Sequence, residues 1–329
     1  MAGTGKAHLR GEGAVLTVED LVVDFPASGG RTVHAVSGIS IDLLPGETLG
    51  IVGESGCGKS TTGRAILQLP RPTSGSVVLD GTDLVKLDEG EMRAKRTGIQ
   101  MIFQDPISSL NPRRRIKDVV AEPLRVWGPK DKAEQYRIVR ETLEAVGLDA
   151  DLVGDRRPHE FSGGQCQRIS IARALVLNPK IIICDEPVSA LDVSVQAQIL
   201  NLLEDLKAKY GITLIFIAHD LGVVKNVSDR VAVMYLGKLC EVADSEALYK
   251  KPSHPYTRLL LGSVPVADPT KKPDTSTELS GDLPSPTDPP SGCRFRTRCP
   301  RATDRCAAEE PQLREVGVGH YVACHFPHE

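Results

Sequence analysis

The stretch Gly53-Glu54-Ser55-Gly56-Cys57-Gly58-Lys59-Ser60 constrains this chain more than any other. Glycine, four residues, glycine, lysine, serine is the pattern of a loop whose backbone wraps a phosphate group. Such a loop needs a strand before it and a helix after it, because the helix end lends it positive potential. The sequence supplies both: Thr48 to Val52 reads as a strand and Lys59 to Leu69 as a helix. Gly53, Gly56 and Gly58 let backbone N–H groups point into one concave nest. Lys59 is expected to reach the outer phosphates of a nucleotide, and the Ser60 hydroxyl to bind Mg²⁺. Glu54, Ser55, Cys57 and Thr61 complete the expected nucleotide-binding stretch.

Further elements follow in a fixed order. Ile181 to Ile183 form an apolar strand that delivers Asp185 and Glu186 at its carboxyl end, where open parallel sheets bind ligands. Asp185 is the expected Mg²⁺ ligand and Glu186 the general base for an attacking water. His219 ends the apolar run Leu214 to Ala218, and its expected task is to hydrogen-bond the terminal phosphate and hold Glu186 and the water in line. Gln104, just after Met101-Ile102-Phe103, is placed to sense Mg²⁺ and water. Ser162-Gly163-Gly164-Gln165 again sets small residues at a helix start, a second phosphate binder. Two such helix ends in one chain are redundant, whereas two chains meeting head to tail use both. The pattern therefore predicts a dimer with nucleotides in its interface.

The chain reads as α/β throughout its core. Strands are expected at Val15–Val23, Ile39–Leu43, Lys180–Cys184, Thr213–Ala218 and Arg230–Tyr235, and a helix at Ser194–Tyr210 with Ile199, Leu202, Leu203 and Leu206 on its buried face. Residues 1–14 read as a loose tail, 15–264 as the nucleotide-binding domain with a helical insert over about 105–178, and 265–329 as an extension. Within that extension, 265–292 hold seven of the chain's 23 prolines and read as an extended linker. A net charge of −3 and 4% aromatic residues argue against a general nucleic-acid surface. No apolar run approaches the roughly 18 residues of a membrane helix, and the first residues lack the apolar segment of a signal peptide. A cytosolic setting without structural disulfides is the expectation.

The set GESGCGKST, Gln104, SGGQ, IIICDEP, Ser189-Ala190-Leu191-Asp192 and His219 resembles the nucleotide-binding subunit of an ABC transporter, over about residues 15–265. Within that superfamily QDPISSLNPR (104–113), DEPVSALDVSVQAQILNLL (185–203), HPYTRLLL (254–261) and LSGDLPSP (279–286) resemble the ATPase subunits of bacterial dipeptide and oligopeptide importers. The loop with Cys57 and the helix beginning STTGR look more like the F-type than the D-type of two paralogous subunits. The resemblance implies a P-loop domain with a RecA-like core, an antiparallel β portion, an inserted helical subdomain and a small cysteine-bearing extension. It implies ATP and Mg²⁺ as ligands, a D-type ATPase partner, two membrane permease subunits and, indirectly, an extracytoplasmic peptide-binding protein. The site of action is then the cytoplasmic face of the membrane, peripherally. Ser189 to Asp192 become a dimer-interface loop, and Phe25 the candidate ring stacked on adenine. Phe161 and Cys166 flank the second phosphate binder where leucine and a basic residue are commoner. Importers of nickel or glutathione are alternatives of the same chemistry, and a soluble ABC ATPase is one of a different class. Arg113-Arg114-Arg115 reads either as a contact for a membrane subunit or as a solvated face.

Four of the eight cysteines lie in the tail as C-x5-C-x6-C-x17-C: Cys293, Cys299, Cys306 and Cys324. Structural zinc sites bring close pairs two to four residues apart, which are missing here. The wide spacing and Pro300 favour a four-thiolate iron–sulfur cluster, and the resemblance points the same way, to a 4Fe–4S cluster. Zinc and unliganded thiols stay open as alternatives, with His320 and His325 as substitute ligands. Cys57, Cys166, Cys184 and Cys240 read as isolated and inert.

Overall fold

The computed structural model describes residues 5–262 and 282–328. It divides into two compact units, Met1–Lys86 with Ala218–Glu329, and Leu87–Ile217.

The first unit opens with β1 (Leu16–Pro26), β2 (Thr32–Leu43), β3 (Thr48–Val52), α1 (Lys59–Ile66), β4 (Ser74–Leu79) and β5 (Thr82–Asp83). β1 pairs antiparallel with β2 on one edge and β4 on the other. Its alternation buries Leu16, Val18, Leu21 and Val23, the pattern of a sheet with one covered face. β3 is buried at all five positions, as a strand covered on both faces must be.

The second unit holds α2 (Glu89–Lys95), β6 (Ile99–Ile102), α3 (Ile116–Trp127), α4 (Lys132–Ala145), α5 (Ala150–Val153), α6 (Gly163–Leu175), β7 (Ile181–Asp185), α7 (Val193–Tyr210) and β8 (Thr213–Ala218). β6, β7 and β8 run parallel, with Ile102 opposite Cys184 and Cys184 opposite Phe216. α7 starts on the Asp192 cap, ends on Gly211 in the left-handed region and buries Ile199, Leu202, Leu203 and Leu206.

The chain returns to the first unit with α8 (Leu221–Val227), β9 (Arg230–Tyr235), β10 (Lys238–Asp244), α9 (Ser245–Lys250), α10 (Pro255–Gly262), α11 (Asp304–Ala308), β11 (Arg314–Gly317) and β12 (His320–Val322). β3 lies parallel to β9, β9 pairs antiparallel with β10, and β12 from the tail joins the far edge of β10. Among the described residues no helix is long and apolar enough to cross a membrane.

Several expectations shift. β1 runs on to Pro26 and β2 begins at Thr32, while α1 stops at Ile66 and Gln68 turns left-handed at φ 59°. α3 carries Pro123 inside it, which hid the helix from pattern reading. The helices of 105–178 belong to a wider unit that includes β6, β7 and α7. Most of the proline-rich stretch, 263–281, lies outside the described residues, as does the start of LSGDLPSP.

The expectation of a loose tail over 1–14 needs correcting for its described part. His8 is 1% exposed and its Nε2 lies 2.6 Å from the Ser40 carbonyl oxygen. Arg10 reaches Asp42 and Glu47, and both acids also meet Arg230, with Arg230 Nη2 2.7 Å from Asp42 Oδ1. Burial alone pushes the Asp42 pKa up, but Arg230 and Arg10 outweigh it and hold the group below its ordinary value. Replacing Arg230 by alanine leaves the buried Asp42 carboxylate short of its main partner, and we expect a loss of roughly 3–5 kcal/mol, read as a fall in thermal midpoint. Because the folded pKa is depressed, the contribution of Asp42 is full above an unfolded value of about 3.9 and fades as pH drops toward the folded one. Melting curves from pH 7 to pH 3 should therefore converge for the two proteins at the acid end.

Candidate nucleotide site

The phosphate loop hangs between β3 and α1, and its neighbours leave no room for side chains at two glycines. A Cβ at Gly53 would sit 2.1 Å from the Met234 carbonyl oxygen, and one at Gly58 2.2 Å from that of Ala35. Gly58 also takes φ 103° as the residue that caps α1. Lys59 is 4% exposed, and its ammonium donates to the carbonyls of Gly53 (2.8 Å) and Glu54 (3.0 Å). Ser60 and Thr61 follow in the first turn of α1, while Ser55 and Gly56 are exposed at the loop tip. Cys57 is 1% exposed and burial pushes its thiol pKa up, so its part in the loop is packing. Glu54 is fastened at both ends, its N–H donating to the Tyr256 hydroxyl (2.9 Å) and its carboxylate accepting from Arg298 (3.0 and 3.1 Å). In the same unit Phe25 is 36% exposed near the end of β1, opposite Val33, and His219 is exposed just before the Asp220 cap of α8.

The second unit carries the acids. Asp185 is fully buried as the last residue of β7. Glu186 turns left-handed, φ 47°, a conformation an L-residue keeps only when its surroundings impose it. Its N–H bonds to the Ile217 carbonyl (2.9 Å) and its carboxylate accepts from Gln104 Nε2 (3.0 Å). Gln104 and Glu186, 82 positions apart in the chain, are thus in contact. Ser189 Oγ bonds back to the Glu186 carbonyl (3.1 Å), and Gln196 holds the carbonyls of Val188 and Leu191, which fixes the 189–192 loop. Ser162 and Gln165 form a capping box at the start of α6, and a Cβ at Gly164 would meet Val195 Cγ1 at 2.5 Å. The two departures pack locally: Cys166 is buried against the Pro158 carbonyl, and Phe161 lies under the Arg156 guanidinium at 4.5 Å.

Cys293, Cys299, Cys306 and Cys324 all line one cavity in the first unit, together with Phe295 and His325. Burial, and then the neighbouring thiols, push Cys293 and Cys324 up to about 11 each. The donor chemistry fits a thiolate-held metal or cluster, although among the described residues no three ligating side chains already stand in a metal-holding group. His325 reaches this cavity, whereas His320 bonds to Glu241 at 2.6 Å instead. Cys240 is not the isolated thiol expected: it is buried beside Cys293, lining a second cavity with it. Tyr256 and Arg298 are the contributors to the loop that sequence reading missed. Tyr256 lay within a quoted stretch, HPYTRLLL, but nothing local ties it to Glu54.

The family described as ABC transporter matches residues 36–189, and the family described as oligopeptide/dipeptide transporter, C-terminal region, matches residues 240–306. The chain is 52% identical to the putative oligopeptide transport ATP-binding protein YkfD of Bacillus subtilis, covering 95% of each chain. It is 52% identical to the oligopeptide transport ATP-binding protein OppF of Escherichia coli, covering 97% of this chain and 98% of that one. Among solved structures it resembles cbiO1 of Clostridium perfringens, part of an ABC transporter complex, at TM-score 0.64 and 29% identity, over 73% of this chain and 92% of that one. It also resembles a dimeric ATP-binding cassette in a post-hydrolysis state bound to ADP and Pi, at TM-score 0.63 and 29% identity, over 70% and 98%.

Gly58→Ala places a methyl group against the Ala35 carbonyl and strains a left-handed position, so it should both lower the melting temperature and abolish the upward shift that MgATP gives the unsubstituted chain. Thermal scans with and without MgATP check this.

Proposed function

Since this chain belongs to the ABC transporter ATP-binding proteins, we propose that it is the ATP-hydrolysing subunit of a peptide importer. The cassette occupies 15–264 and the extension 265–329. The match of its C-terminal region to the oligopeptide/dipeptide transporter family, on top of the cassette match, is the observation that carries the peptide reading. The chain works at the cytoplasmic face of the membrane with a D-type ATPase partner and two permease subunits, fed by an extracytoplasmic binding protein.

In the proposed mechanism the loop 53–61 and Lys59 hold the phosphates, and Phe25 stacks on adenine. Ser60, Gln104 and Asp185 supply hard oxygen donors suited to Mg²⁺, which neutralises phosphate charge when bound. Glu186 takes a proton from the water that attacks the terminal phosphorus, and His219 orients that phosphate. ATP and water become ADP and phosphate. Ser162 to Gln165 complete the partner's site, and Ser189 to Asp192 line the dimer seam. The Gln104–Glu186 hydrogen bond supports the base assignment, since it fixes the direction of the carboxylate beside the residue expected to sense Mg²⁺ and water.

Replacing Glu186 by glutamine should keep MgATP binding but cut turnover by about 10²–10⁴-fold, with a nucleotide-trapped dimer visible by light scattering. Unimpaired single-turnover hydrolysis in that variant would show that another group takes the proton.

The four tail cysteines are proposed to hold a 4Fe–4S cluster, with zinc as the alternative. Their shared cavity supports this, because four thiols that line one buried space can all ionise there only with a cation to hold the charge. Anaerobically purified protein should contain iron and labile sulfide at about four each per chain, and lose both when any of the four is replaced by serine. Stoichiometric zinc without sulfide would decide for the alternative.

A further inference from the structure

A carboxylate on a phosphate-binding loop works against its ligand. Glu54 is the second residue of the loop, its side chain one-quarter exposed, and MgATP brings net negative charge to the same few ångströms of backbone. The structure answers this charge from 244 residues away. Arg298 Nη1 lies 3.0 and 3.1 Å from the two Glu54 oxygens and 3.4 Å from the Tyr235 hydroxyl, and its side chain is only 6% exposed. A buried guanidinium fixed this way is a committed counter-charge rather than a surface pair.

The mount for Arg298 is equally specific. It sits next to Cys299, and its N–H bonds to the Phe295 carbonyl at 3.0 Å. Phe295, 1% exposed, packs edge-on to Tyr235 (centroids 5.2 Å apart) and tilted against Tyr256 (5.3 Å). Tyr256 in turn accepts the Glu54 N–H. One short tail segment therefore grips Glu54 through its backbone, by way of Tyr256, and through its carboxylate directly.

We propose that Arg298 is a positioning residue for nucleotide binding, which cancels the charge of Glu54 and pins the phosphate loop from the cysteine-bearing tail. The inference rests on the reading of 53–61 as the nucleotide loop and adds a residue outside the cassette motifs. Its signature is charge dependence. Without Arg298 the naked carboxylate repels the phosphates seated in the loop, so the penalty follows how many of a ligand's phosphates reach it.

The test is calorimetric titration of the full-length chain and of Arg298→Gln, Arg298→Lys, Glu54→Gln and the double variant Arg298→Gln/Glu54→Gln, with MgATP, MgADP and AMP. Arg298→Gln should weaken MgATP roughly tenfold, MgADP less and AMP least. Arg298→Lys should keep most of the affinity. The double variant should recover to within about threefold of the unsubstituted chain, because neither charge remains. If Arg298→Gln does not fold, Glu54→Gln alone still decides, since it leaves the Arg298 charge unopposed beside the loop and should bind MgATP more tightly than the unsubstituted chain, with a smaller gain for AMP. Unchanged MgATP affinity in Arg298→Gln overturns the proposal, as does an equal loss for all three nucleotides without recovery in the double variant, or an unchanged or weakened affinity in Glu54→Gln. Failure of the unsubstituted chain to bind MgATP would overturn the nucleotide reading itself, a distinct result.

Discussion

Two carbonyl oxygens, those of Ala35 on β2 and Met234 on β9, stand where any side chain at Gly58 or Gly53 would go. The path of the phosphate loop is therefore set by the strands around it. This caging gives the loop its shape in advance, so a ligand need not spend binding energy on ordering it. The buried ion group serves the same end. Asp42 lies near the end of β2 and Arg230 opens β9, so the pair ties together the two strands that supply the caging oxygens. Arg10, from a tail that sequence patterns leave structureless, closes the group.

In the second unit the decisive constraint is a backbone angle. Adjacent residues of a strand face opposite ways, yet Asp185 and Glu186 are both expected at the reacting centre. The left-handed turn at Glu186 frees its carboxylate from strand alternation and brings it onto Gln104, while Asp185 stays fully buried. Ser189 bonds to the Glu186 carbonyl and Gln196 to the carbonyls of Val188 and Leu191, which holds this local geometry.

The parts legible in the sequence are those encoded by near neighbours. β3, β8 and β9 were expected with their observed limits, because unbroken apolar runs bounded by turn residues identify buried parallel strands. The loop and the helix start at Ser162 were legible for the same reason, whereas the capping box there was not read. What stayed hidden depends on distant partners. His8 is buried only because Ser40 waits 32 positions on, and Tyr256 meets Glu54 across 202 positions. Cys240 looked solitary because its neighbour Cys293 lies beyond the proline-rich stretch. α3 was lost to Pro123, which a helix tolerates here but a pattern search does not.

The aromatic packing of Phe295 on Tyr235 and Tyr256 has a consequence for protein engineering and for descent. Surfaces that interlock in this way must change together. A chimaera that grafts the tail of one such subunit onto the cassette of another has to carry compatible residues at 235 and 256, and a matched pair at 54 and 298, or the seam opens. The tail is then inherited as part of the cassette's interior, however much its composition suggests a detachable appendix.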